Sequence, residues 1–168
     1  MRSILALILF LLVCFGVAAF GAQFTPGEWY AALEKPPWNP PAWLFGPVWT
    51  LLYAMMAVAG WLVWRTGNVA GGGDSGGAAG AAGAGGRRLA LGVFALQLVL
   101  NGAWSWLFFG LHRPGLAFAE IVALWLAILA TAVLFWKQRP LAGALLVPYL
   151  AWVTFAAALN LELWRLNP

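Results

Sequence analysis

Trp29 to Tyr53 reads WYAALEKPPWNPPAWLFGPVWTLLY, with four Trp, two Tyr and five Pro in 25 residues. Proline fixes φ and removes a backbone donor, so Pro36-Pro37 and Pro40-Pro41 make a stiff, extended connection. From Ala42 onward the stretch turns apolar and continues to Trp64 as a segment of membrane-spanning length. Its first half is therefore a rigid aromatic loop between two spans, and its second half begins one of them.

Working outward, the same apolar character fills the chain. Hydrophobic residues make up 64% of the 168 residues and charged residues 8%, against about 25% charged in a soluble domain. Such a chain cannot cover a water-facing surface and belongs in lipid. Its net charge of +4 is dilute, with no basic cluster larger than Arg87-Arg88, which excludes a nucleic-acid partner. The single cysteine, Cys14, lies in an apolar run and forms neither an internal disulfide nor a Cys-based metal site.

Five segments reach the roughly 20 residues that cross the hydrocarbon: 3–22, 42–64, 89–111, 115–136 and 141–164. Backbone groups in lipid must be satisfied within the segment, and the alternation of a membrane barrel is absent, so the expected fold is an all-α membrane protein, a five-transmembrane-helix bundle in one domain. The first segment also resembles a cleavable signal, with Arg2 before the apolar run and Val17-Ala18-Ala19 as a cleavage site. Its length favours retention as a span. Gly67 to Gly86 is mostly Gly and Ala and is expected to be a disordered loop. Six basic residues (Arg2, Arg65, Arg87, Arg88, Lys137, Arg139) flank one side of the spans and three (Lys35, Arg113, Arg165) the other. That bias predicts a cytoplasmic N-terminus, with the Pro-rich loop, His112 and the C-terminus outside.

Twelve Trp exceed what an interfacial belt requires. Trp61, Trp64, Trp136 and Trp164 sit at segment ends, whereas Trp49, Trp104, Trp125 and Trp152 lie within spans. Trp49 and Trp104 are each about 10 Å below the outer end of their helices at 1.5 Å per residue. Gln97 and Asn101 are four apart and share a helix face. Amides in lipid either bond between helices or face a cavity. Glu120 and Glu162 lie near the outer ends and are expected to reach water. Pro47 and Pro148 fall near the same Trp residues and open space between helices. Aromatic walls and a few amides under a stiff lid suit a flat, largely apolar ligand. The lone His112 lies in a turn, so neither a metal nor a cofactor is expected, and there is no acid–base pair for hydrolysis.

Trp29-Tyr30 with Lys35-Pro36, Trp38-Asn39-Pro40-Pro41, Trp49-Thr50-Leu51-Leu52-Tyr53, Gln97 with Leu100-Asn101, Trp104, Phe108-Phe109-Gly110, Pro148-Tyr149-Leu150-Ala151-Trp152 and Leu159-Asn160 together resemble the TspO family, the translocator or tryptophan-rich sensory proteins. The resemblance implies a five-helix membrane protein, usually a homodimer, that binds porphyrins such as protoporphyrin IX as a sensor, receptor or carrier. It places Trp29, Tyr30, Trp49, Asn101, Trp104, Trp152 and Ala156 in the pocket, beside the Gln97 amide. Some bacterial members resemble light-dependent porphyrin-degrading catalysts, and there Trp49 and Trp152 would take part in the reaction. Animal members bind cholesterol through a tyrosine and an arginine late in the fifth span. Here Arg165 is present but the tyrosine is not, so sterol recognition is not expected.

Overall fold

The computed structural model describes residues 2–24, 26–69 and 78–168. Its helices are α1 (Arg2–Gly21), α2 (Glu28–Ala32), α3 (Ala42–Val69), α4 (Ala78–Ser105), α5 (Pro114–Gln138), α6 (Pro140–Ala144) and α7 (Val147–Leu166). A π-helical turn, Trp106–Gly110, extends α4. Five stretches are long and apolar enough to cross a membrane: Arg2–Gly21, Ala42–Thr66, Gly83–Gly110, Pro114–Gln138 and Pro140–Leu166. The protein is an all-helical, multi-pass membrane protein.

The helices pack in a ring. Helix α1 lies against α3 and α4, α4 against α5, α5 against α6 and α7, and α6 closes back on α3. Short links produce the antiparallel neighbours. Between the π turn and α5, His112 adopts φ 53°, a left-handed conformation that reverses the chain within three residues before Pro114 starts α5.

Within the segment expected as a loop, Gly67 to Gly86, α3 continues to Val69 and α4 begins at Ala78. Residues 70–77 lie outside the described residues. Five alanines between Ala78 and Ala84 supply the helix propensity that the interspersed glycines lack. The two prolines expected to open space between helices behave differently. Pro47 sits in the second turn of an unbroken α3. Pro148 has no N–H for the Ala144 carbonyl, and the fifth span breaks there into α6 and α7, joined through Leu145 and Leu146.

The bundle is filled unevenly along its length. Away from the Pro-rich loop, Met56, Val63, Phe94, Ile128, Phe135 and Leu146 are buried together. Small residues permit this closeness: a Cβ on Gly60 would stand 2.8 Å from the Phe10 ring, so α1 and α3 touch there only because Gly60 has none. Under the loop a second, smaller cluster gathers Phe108, Ala117, Leu159 and Leu163, with Trp29, Tyr30 and Phe45 packed on it. This cluster seats the loop. Between the two lies open space.

Candidate functional site

That space is a cavity of about 810 Å³ reached by all five spans and roofed by the loop. The roof is built from local chemistry. Helix α2 ends at Leu33, which is extended, because Lys35-Pro36-Pro37 cannot continue a helix. The Lys35 ammonium donates to the carbonyls of Ala31 and Leu33, 3.0 Å each, and lies 4.9 Å from the Tyr30 ring centroid. Tyr30 in turn donates to Asn39 Oδ1 at 3.3 Å. Burial holds the Tyr30 phenol above its ordinary pKa, and the Asn39 bond offsets part of that rise. Tyr30 is therefore a neutral donor. The loop is clasped to the end of α7: Asn167 Oδ1 accepts from the Glu34 N–H at 2.9 Å and Asn167 Nδ2 donates to the Glu34 carbonyl at 3.0 Å.

The floor is polar. Tyr53 on α3 donates its hydroxyl proton to Asn101 Oδ1 on α4. Asn101 Nδ2 donates to Tyr149 on α7 at 2.7 Å, and Tyr149 donates to Gln97 Oε1 at 3.1 Å. Three spans are thus tied at one level. A primary amide has two N–H donors and a two-lone-pair oxygen, so Asn101 keeps one donor and one acceptor site beyond these bonds. Higher up, Trp104 Nε1 donates to Asn160 Oδ1 at 3.0 Å and Asn160 Nδ2 to the Pro114 carbonyl at 2.8 Å. Asn101 and Asn160 therefore both bond between helices and face the cavity.

The walls are aromatic. Trp152 meets Phe45 edge-on at 5.9 Å, and Phe155 carries the contact on to Trp38 in the loop. Trp49 lies 5.5 Å from Tyr53 and 6.2 Å from Tyr149. Trp104 stacks on Phe108 at 5.1 Å and 19°. The π turn brings both Phe108 and Phe109 to the cavity with Trp104.

Of the expected pocket residues, Tyr30, Trp49, Asn101, Trp104, Trp152 and Ala156 line this cavity. Trp29 and Gln97 stand one layer back. Trp29 stacks on His112 at 4.3 Å and 17°. Gln97, 1% exposed, reaches the floor only through Tyr149. The mid-span Trp residues now separate. Trp125 donates to Thr154 at 2.8 Å and ties α5 to α7 away from the cavity. Among the described residues, the indole N–H groups of Trp49 and Trp152 have no protein acceptor, while those of Trp61, Trp104 and Trp125 do. Trp125→Phe is expected to lower stability by about 0.6 kcal/mol through one lost interhelical bond. Unfolding in rising SDS checks this, and a wild-type midpoint would show the bond to be worthless.

Glu120 departs from expectation. Neither carboxyl oxygen touches solvent or finds a hydrogen-bond partner among the described residues. Its neighbours along the helix, Ala117, Ile121 and Leu124, are all buried, so Glu120 is turned toward the bundle. Glu162 instead pairs with Arg165 at 4.0 Å near the helix end.

Comparison with known proteins finds relatives along nearly the whole chain. The family model described as TspO/MBR family matches residues 9–165. Protein CrtK of Rhodobacter capsulatus is 40% identical over 159 residues, covering 95% of this chain and 91% of that protein. The tryptophan-rich sensory protein of Cereibacter sphaeroides is 39% identical over 158 residues, 94% and 89% of the two chains. The translocator protein of Ovis aries is 40% identical over 150 residues, 88% and 81%.

Proposed function

The chain belongs to the TspO/MBR family, and from that premise we propose that it binds a porphyrin of the protoporphyrin IX type in the roofed cavity, as a sensor, receptor or carrier. One observation supports this above others. A cavity of about 810 Å³ is walled by Trp49, Trp104 and Trp152 above an amide floor, and among the described residues the indole N–H groups of Trp49 and Trp152 have no protein acceptor. Pockets of about 300–1,000 Å³ suit drug-sized ligands. A flat macrocycle stacks on aromatic walls, and its polar edge groups take the few donors there.

Protoporphyrin titrated into purified protein should quench Trp fluorescence saturably. Trp152→Phe combined with Asn101→Ala should weaken binding roughly tenfold, a loss of about 1.4 kcal/mol. Unchanged affinity in that variant would place the porphyrin elsewhere.

A second reading, light-dependent porphyrin degradation, draws on one detail: Trp49 faces the cavity and backs onto Tyr53 and Tyr149. An excited porphyrin would take one electron from the Trp49 or Trp152 indole and pass it to dioxygen, leaving an indole radical, and the superoxide formed in the cavity would oxidise the ring at a meso carbon. Under illumination the bound porphyrin would then bleach faster than the free one, and Trp49→Phe with Trp152→Phe would remove the difference. Equal bleaching of free and bound porphyrin leaves binding alone.

The same reading takes the loop to face outward and the protein to be a homodimer, on basic-residue bias and family resemblance respectively. Protease protection of a C-terminal tag in sealed vesicles and light scattering in detergent test the two.

A further inference from the structure

Lys35 is the one charged side chain among the described residues that line the cavity. Its position is fixed. The Pro36-Pro37 pair holds the backbone after it, and two of its three donors are engaged by the Ala31 and Leu33 carbonyls at 3.0 Å. The third is unassigned. Among the described residues no carboxylate lies within 4.0 Å of it, the ion pair formed there being Arg165–Glu162. The other polar groups around the cavity are Tyr30, Asn39, Thr50, Tyr53, Asn101, Ser105, Asn160 and the indoles, none of which carries charge. The cavity therefore has a direction: an apolar body with a neutral polar floor, and a single positive charge at the roof.

We propose that Lys35 selects for an anionic ligand, pairing its ammonium with a carboxylate carried at the edge of a flat apolar body. This rests on the porphyrin reading and adds to it the charge and orientation of the ligand. The ring lies against Trp49 and Trp152, and a carboxylate side chain points up to the roof. An ammonium–carboxylate bond shielded by the roof and by the Tyr30 ring outweighs a neutral bond, because it is charge-assisted and poorly screened. A ligand with the same ring and esterified side chains keeps the stacking and loses the ion pair.

The test compares protoporphyrin IX with its dimethyl ester in a non-ionic detergent, by Trp quenching, on wild type, Lys35→Gln, Lys35→Arg and Glu34→Gln. The quantity read is the ratio of acid to ester affinity, which cancels loss of folded protein. Wild type, Lys35→Arg and Glu34→Gln should prefer the acid by roughly tenfold, and in Lys35→Gln the ratio should fall to near one. A ratio near one in wild type, or an unaltered ratio in Lys35→Gln, overturns the assignment while leaving porphyrin binding intact. Binding of neither compound to wild type overturns both readings. Loss of both compounds in Lys35→Gln alone would show that Lys35 only holds the roof together.

Discussion

Asn101→Leu is expected to destabilise the bundle by about 2 kcal/mol, the largest effect of any single substitution at the cavity. The bond itself is the smaller part, since interhelical hydrogen bonds in membranes average well under 1 kcal/mol. What matters is the two hydroxyls left behind. Tyr53, 6% exposed, loses its acceptor, and Tyr149, 0% exposed, keeps only Gln97. A buried donor without a partner costs about 1–3 kcal/mol. Tyr53→Phe removes the donor together with the need for it, and should cost less. In the double variant the two losses should fall short of additivity, because both act on the same bond. SDS-driven unfolding followed by circular dichroism measures all three. A wild-type midpoint for Asn101→Leu would mean that the floor holds no spans together.

Loosening the roof should produce the largest kinetic effect. Asn167 makes two hydrogen bonds to Glu34, and each contributes about 0.5–1.5 kcal/mol. Asn167→Ala should therefore speed porphyrin release roughly tenfold. Replacing Pro36, Pro37, Pro40 and Pro41 by Ala restores conformational freedom to the same loop and should add to that. Stopped-flow displacement gives the rates. If both variants release at the wild-type rate, the loop is a connector and the ligand leaves by another path. One alternative exists on the α1–α3 side, where Phe15 and Thr50 line the cavity and are also exposed.

The architecture was legible because lipid leaves few choices. A run of 20 apolar residues with almost no charge has one stable form, so the five spans and their order follow from composition. The proline pairs identify the roof for a similar reason: they fix the chain locally. Features that depend on contacts between distant residues were not legible. The Asn167 clasp joins residues 133 positions apart, and an asparagine in a C-terminal Asn-Pro carries no local sign of its partner. Glu120 looked solvated from its depth alone. Depth does not say which way a helix face turns, and that is set by how α5 packs on α4 and α7. The π turn at Trp106–Gly110 shifts phase by one residue, and periodicity counting assumes no shift. Trp29 and Gln97 belong to the layer behind the cavity for a related reason. Sequence spacing places a side chain on a face but not at a distance.

The uneven filling of the bundle bears on traffic across the membrane. The cavity stops at Tyr53 and Asn101, and below them Met56, Phe94, Phe135 and Leu146 close the ring. It is a cul-de-sac. Among the described residues, its roof and its exposed lining at Phe15 and Thr50 lie at the same end of the bundle. A solute that enters leaves into the leaflet or the water it came from, and net passage to the opposite compartment would require the packed half to part. Such a shape would return any bound molecule to the side it came from, and by itself gives that molecule no vector.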